Sequence, residues 1–418
     1  MPATNCACSR KSPPVELDKF VAAIPPAPIR IHEGRFARLE AIEWWDQESL
    51  RNARILVIGA GALGNEVIKN LALLGVGNVV VADMDEIELS NLSRSVLFRE
   101  QDEGKPKAEC AARAASQIYP EMNVRAVRAN ILSDLGLGYF RWANVVIGAL
   151  DNREARVFVN SACARVGRPW IDGGIEVLHG VVRGFAPPAT ACYECTMSQV
   201  DWDLLNKRRS CSLLARRAIS QRGTPTTPTT ASVIAALQVQ EVVKLLHGME
   251  ALTGRGYVFD GAAHSSYLVN YPVDPNCPWH EPPPPIESVH RFDSGTRLQE
   301  IWDYCAASLG AVDAIDFGRE LVHELVCTAC GHRTSILLPV EKINEADALC
   351  RKCGNEAAPE FLHSIPAGSP LLSRTVAEIG LPAWEIIWAR RGENGVGIEL
   401  AGDSPFTGKS APAGKETA

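Results

Sequence analysis

Apolar positions along this chain follow two rhythms. Between Arg54 and Asp260, short runs rich in β-branched residues alternate with longer stretches whose apolar positions fall three and four apart. The runs Arg54–Gly59, Asn78–Asp83, Val124–Asn130 and Asn144–Leu150 predict strands. Between them, Ala62–Leu74, Lys105–Ile118 and Asn152–Val166 predict helices. Pro169–Asp172, Gly180–Phe185 and Gly256–Asp260 predict later strands, and Thr229–His247 a long helix that stops at Gly248. Strand–helix alternation of this kind predicts an α/β fold: a Rossmann-like, doubly wound, mostly parallel sheet.

The pattern changes at Pro282–Pro285, four consecutive prolines that predict a stiff extended link. Beyond it, residues 289–402 carry their own apolar segments, with Glu385–Ala389 and Gly397–Ala401 as strands and Asn394-Gly395 as the hairpin turn between them. The expected organisation is a flexible arm over 1–30, an α/β domain over 31–280, a linker over 281–288, a smaller α+β domain over 289–402, and a disordered tail over 403–418.

Composition narrows the function. With 418 residues, 46% hydrophobic and 22% charged, the chain can bury a core. It has 49 acidic against 42 basic residues, net −7, and so lacks the basic surplus of a nucleic-acid binder. The longest largely apolar run, Leu71–Ala82, is well short of the roughly 20 residues of a membrane helix. No apolar run of the secretory type opens the sequence, so a cytoplasmic protein is expected. In that setting 13 cysteines point to metal ligands and a reactive thiol. Cys6-x-Cys8 is too closely spaced for a usual zinc pair.

Candidate chemistry begins at Gly59-Ala60-Gly61-Ala62-Leu63-Gly64, set between a strand and a helix. Glycines there allow backbone to approach a phosphate at a helix N-terminus, and Asp83 ends the next strand where a carboxylate can reach ribose hydroxyls. A dehydrogenase would share these features. The following residues argue against it: Arg94 and Lys107 supply two cations, which suit a triphosphate better than a pyrophosphate. Asp151, ending a strand, can hold Mg²⁺ in the crevice.

Cys327-x₂-Cys330 and Cys350-x₂-Cys353, each followed by glycine, have the spacing of a zinc ribbon. Cys192-x₂-Cys195 and Cys277-Pro-Trp-His280 are two further knuckles, 81 residues apart. Cys211 lies in Lys207-Arg208-Arg209-Ser210-Cys211, with Arg216 and Arg217 close behind; basic neighbours lower a thiol pKa. Cys110 and Cys163 lie on predicted helix faces as core residues.

In order, GxGxxG, Asp83-x-Asp85, Asn91-Leu92-x-Arg94, Pro106-Lys107-x-Glu109 and Asp151-Asn152 resemble the ThiF/MoeB-type adenylyltransferases and the ubiquitin-activating enzymes. The likeness runs from about Gly34 to His280 and includes Arg35-Phe36-Ala37-Arg38, Cys192-Tyr193-Glu194-Cys195 and Pro228-Thr229-Thr230. It implies that Gly59, Gly61, Gly64 and Asp83 hold ATP, that Asn91, Arg94 and Lys107 contact its phosphates, and that Asp151 positions Mg²⁺. It also implies that Arg38 reaches the triphosphate of a neighbouring subunit in a homodimer, and that the two distant knuckles close one zinc site, here with His280 in place of the usual fourth cysteine. Leu150 stands where the family often has Thr.

The implied activity is ATP-dependent adenylation of the C-terminal glycine of a small ubiquitin-like protein, then thioester transfer to Cys211, with two structural zinc ions. A conjugating enzyme would be a further partner, received by the 289–402 domain. A sulfur-carrier-protein adenylyltransferase fits the nucleotide motifs nearly as well, and a non-catalytic partner of such an enzyme is a third reading.

Overall fold

The computed structural model describes residues 34–210, 225–344 and 346–406. The chain divides into two units, one ending at Gln47 and one beginning at Glu48. In the first, Ala37–Glu40 forms a four-residue helix.

The second unit contains an eight-stranded sheet. Its strands are β1 Arg54–Ile58, β2 Asn78–Ala82, β3 Asn123–Val127, β4 Val145–Gly148, β5 Trp170–Glu176, β6 His179–Phe185, β7 Arg255–Asp260 and β8 Ser265–Asn270, in the order β3-β2-β1-β4-β5-β6-β7-β8. The first five are parallel, and β5 to β8 are antiparallel. Strand β1 is central, and Ile55, Leu56 and Val57 are wholly buried, as a strand covered on both faces requires. The helices Ala62–Leu74, Lys107–Ile118, Arg153–Val166 and Pro228–Leu246 fall where the sequence pattern places them, to within two residues. Their ends have local causes. Gly75 closes the first in a left-handed conformation, Asn152 caps the third through Ala155 N–H, and Thr227 caps the fourth through Thr230 N–H.

A second sheet follows, with β9 Ile286–Ser288, β10 Ala314–Cys327, β11 Arg333–Pro339, β12 Ala357–Pro366, β13 Ile386–Arg391 and β14 Asn394–Glu399. Its order is β11-β10-β13-β14-β9, with β12 also on β10, and the helix Leu298–Leu309 packs against it. Strand β9 lies within the stretch expected as linker, because Ile286–Ser288 finds pairing partners in β14. The β13–β14 hairpin turns at Gly392-Glu393 and not at Asn394-Gly395: Arg391 pairs with Asn394, and Gly392 has φ +55°, as the first loop position of a II′ turn demands. The end of the chain is held as far as Phe406, whose ring stacks on Trp142 at 4.6 Å, so residues 403–406 are not part of a disordered tail.

The two sheets share a core. Ile386 and Trp388 of β13 join Leu56, Ile58, Phe140, Val146 and Trp170 in one buried cluster. At the seam Arg319 and Glu385, each 1% exposed, pair at 2.6 Å. Arg319 also donates to the carbonyls of Ile131, Leu132 and Leu135, while Glu385 accepts from Leu137 N–H. Beside the ion pair itself and a bond from Ile386 N–H to Glu385, these contacts bind the C-terminal region to the segment that leads into β4, meeting the high cost of burying two charges.

Candidate functional site

The glycine loop shows why each glycine stands where it does. Gly59 has φ +96°, and a Cβ there would lie 2.3 Å from the Ala149 carbonyl oxygen; one on Gly64 would lie 2.0 Å from that of Gly59. Those two glycines are demanded by the packing of β1, the helix Ala62–Leu74 and the end of β4. Gly61 is different: nothing lies within 4 Å of its would-be Cβ. The loop is therefore closed beneath and open above Gly61, where a phosphate can reach backbone N–H groups at the N-terminus of a 13-residue helix.

Asp83 fixes this loop from β2. One carboxylate oxygen accepts from Ala60 N–H at 2.6 Å and the other from Asp85 N–H at 2.8 Å. Burial pushes its carboxyl above the ordinary value, while those two N–H groups and Lys107 pull the other way. Lys107, 13% exposed, pairs with Asp85 at 2.8 Å. Asn91 ends a 3-10 turn with its Oδ1 on Glu88 N–H, and Arg94 donates to the Ser90 carbonyl at 2.8 Å. Asp151 is exposed just beyond β4, with one oxygen accepting from Asn152 Nδ2 at 3.0 Å. A hard carboxylate in that position, with an oxygen that has no protein partner among the described residues, fits the donor preference of Mg²⁺. Arg38 is exposed on its helix in the first unit. Cys211 lies outside the described residues; the described residues before it, Gln199–Ser210, are helical.

Both cysteine groups close. Cys192, Cys195, Cys277 and His280 bring one donor atom each within 4.8 Å of one another, as do Cys327, Cys330, Cys350 and Cys353. In the first group Cys192 Sγ lies 3.5 Å from Cys277 Sγ and 3.8 Å from Cys195 Sγ. Sulfurs at opposite corners of a zinc tetrahedron stand about 3.8 Å apart. His280 Nδ1 faces the Pro188 carbonyl at 3.3 Å, leaving Nε2 toward the sulfurs, 3.0 Å from Cys195. In the second group the sulfur pairs are 3.4 and 3.7 Å apart, and N–H groups of Cys330 and Lys352 point at Cys327 and Cys350. Gly331 and Gly354, with φ +67° and +73°, make the turns that follow each pair. Both sets fit zinc.

Metal analysis should accordingly return two zinc ions per chain. Cys327→Ser is expected to lose one and leave the eight-stranded sheet and its glycine loop folded. His280→Ala should lose the other and lower the melting temperature by roughly 5 °C or more, since structural zinc contributes to folding free energy. One zinc in the wild-type protein would refute one of the two assignments.

Sequence reasoning missed the buried polar residues that support the site. Asn65, fully buried, donates to the Ala60 carbonyl at 2.7 Å and accepts from Leu97 N–H at 2.9 Å, tying the glycine loop to the chain three residues beyond Arg94. Arg156 and Arg183, both partly exposed, pair with the buried Asp172 beside Asp151. The available signal was an Asn within an apolar helical stripe and an Asp inside a strand, neither of which a solvated surface needs. Cys110 and Cys163 are buried, and burial pushes the Cys163 thiol well up, in keeping with a core role.

The ThiF family model matches residues 34–278, more than half of the chain. The chain belongs to the ThiF family. It is 43% identical over 163 residues to a NEDD8-activating enzyme E1 catalytic subunit of Caenorhabditis elegans, covering 36% of this chain and 38% of that protein. It is 38% identical over 149 residues to the SUMO-activating enzyme subunit uba-2 of the same organism, covering 35% and 26%. The chain thus spans well under half the length of either relative. Its fold is that of E. coli MccB with ATP, with a TM-score of 0.51 and 24% identity over 60% of this chain and 75% of that one. Among the described residues, no helix is long and apolar enough to cross a membrane.

Proposed function

We propose that this member of the ThiF family adenylates the C-terminal glycine of a small ubiquitin-like protein and then carries the acyl group on Cys211. The observation that supports this most is the glycine loop, closed beneath by Ala149 and open at Gly61, on the same strand ends as Asp83 and Asp151. The names of the relatives, which activate NEDD8 and SUMO, point the same way.

On this reading, ATP lies over Gly59, Gly61 and Gly64 with its ribose at Asp83 and its phosphates near Asn91, Arg94 and Lys107. The carrier's carboxylate oxygen attacks the α-phosphorus; the P–O bond to the β-phosphate breaks, and pyrophosphate leaves with the electron pair. No general base is needed, because the carboxylate is already ionised near neutral pH. A Mg²⁺ ion held at Asp151 would offset charge on the phosphates. The Cys211 thiolate then attacks the acyl carbon, and AMP leaves. A conjugating enzyme received by residues 289–402 would meet a surface fixed to the adenylation region by Arg319 and Glu385.

The test is pyrophosphate exchange into ATP that depends on a carrier ending in glycine. Binding of NAD without exchange would favour a dehydrogenase and sink the reading; exchange absent with every carrier tried, beside intact ATP binding, would favour a non-catalytic partner. Arg38 is expected to act across a homodimer. Arg38→Ala and Asp151→Ala proteins, each poorly active, should regain up to about a quarter of wild-type exchange when mixed, because half of randomly mixed dimers contain one intact site. Mixtures no better than their components would remove the shared site.

A further inference from the structure

The helix Arg153–Val166 begins two residues after Asp151, and its first turn sends one side chain back toward the strand it has just left. Arg156 Nη2 donates to the Leu150 carbonyl at 2.7 Å and to the Gly173 carbonyl at 3.0 Å. Its Nη1 lies 3.5 Å from the Asn152 carbonyl, and its Nε donates to Asp172 Oδ1 at 2.9 Å. The fork therefore reaches the backbone on both sides of Asp151 while spanning the ends of β4 and β5.

The anchor for this fork is itself buried. Asp172 has no solvent exposure, and its second oxygen accepts from Arg183 Nε on β6 at 3.0 Å. The Arg183 guanidinium lies over the Tyr193 ring at 4.9 Å, and Tyr193 stands between Cys192 and Cys195 in the first metal knuckle. A chain of direct contacts therefore runs from the knuckle to the residues flanking Asp151. Burying two guanidiniums around one carboxylate is costly, and apolar residues could join two strands at less cost. A fork with five fixed donors does what apolar packing cannot: it sets the direction of particular carbonyls.

We propose that Arg156 is a positioning residue that holds the backbone around Asp151 so that its carboxylate is presented to a divalent cation arriving with the nucleotide. The proposal rests on the reading of Asp151 given above. Arg156 touches neither nucleotide nor cation in this role. Asp172 orients Arg156, and Gln238 steadies the same strand ends from the opposite side, donating to the carbonyls of Gly148 and Ile171.

The test uses Arg156→Lys, which keeps the charge and loses the fork. ATP affinity is measured by calorimetry in Mg²⁺ and in EDTA, and amide hydrogen exchange is followed over residues 149–153 without nucleotide. The affinity in EDTA should stay within about twofold of wild type, while the gain produced by Mg²⁺ should shrink about tenfold, the scale of losing a charge-assisted bond in a low-dielectric site. Exchange over 149–153 should quicken. Asp172→Asn should shift both readouts in the same direction by less, and it carries the test if Arg156→Lys does not fold. A purely structural cross-link would lower stability and leave the Mg²⁺ gain whole. Arg156→Lys with the full gain, beside an Asp151→Ala protein that has lost it, would overturn the proposal and leave the Asp151 reading standing. No Mg²⁺ gain in wild-type protein would bring down both.

Discussion

Asp151→Ala protein is expected to catalyse carrier-dependent pyrophosphate exchange roughly 100-fold more slowly than wild type, or worse, the scale of removing one strong electrostatic contact from a transition state. It should nevertheless fold normally. The Asp151 side chain is exposed, and its one hydrogen bond among the described residues comes from the equally exposed Asn152 Nδ2, so its removal leaves no buried group of theirs unsatisfied. The helix that follows keeps its cap, because the Asn152 Oδ1 bond to Ala155 N–H does not involve Asp151. Melting temperature should therefore move by less than about 2 °C. Asp83→Ala is the informative contrast. It strips partners from the N–H groups of Ala60 and Asp85 and disturbs the loop itself, so activity and stability should fall together. Wild-type exchange by the Asp151→Ala protein would take Asp151 out of the mechanism.

The difference between these two carboxylates shows which parts of the site were legible in the sequence. A carboxylate at the end of a predicted strand can be located from hydrophobic pattern alone, and Asp83 and Asp151 were. So were the metal groups, since a zinc site needs Cys or His at short spacing and each half of a site is a local signal. Arg156, Asp172, Arg183 and Asn65 were not, because a buried charge and a solvated one look the same in a sequence. Only the fold brings Asp172 on β5 under Arg156 from a preceding helix and Arg183 from β6. The Arg319–Glu385 pair was hidden for the same reason, and with it the fact that the C-terminal region shares a core with the eight-stranded sheet. Proline runs mark a stiff stretch of chain; they carry no information about what packs across it.

The hairpin near the end of the chain failed more narrowly. A turn at Asn394-Gly395 would pair Glu393 with Val396, whereas the observed register pairs Arg391 with Asn394 and Ile387 with Ile398. The two registers differ by an even number of residues, so each puts the same side chains on the same face. Hydrophobic pattern cannot separate them, and the choice falls to turn chemistry and neighbouring strands. Gly392 satisfies the first demand with its positive φ. Strand β9 meets the second by pairing Ile286 with Gly397.

Incubating wild-type protein with ATP and its carrier should give a covalent adduct that survives denaturation and is released by thiol reductant, while Cys211→Ala should keep exchange and form none. Elimination among the described cysteines supports the choice. Seven belong to the two metal groups, and the remaining three, Cys110, Cys163 and Cys305, are buried. Burial pushes the Cys305 thiol up to about 12 and Cys163 well above its usual range, so neither supplies thiolate near neutral pH. Cys211, with Lys207, Arg208 and Arg209 just before it in the sequence, is placed to do the reverse: acyl transfer should remain active below the ordinary thiol pKa of about 8.5. Adenylation and transfer use different groups, which is why one substitution should separate them. A sulfur-carrier activator would stop at the adenylate or yield a persulfide-dependent product, and Cys211→Ala would leave its output largely unchanged. An adduct persisting in the Cys211→Ala protein would instead point to Cys6 or Cys8 and refute the assignment of Cys211.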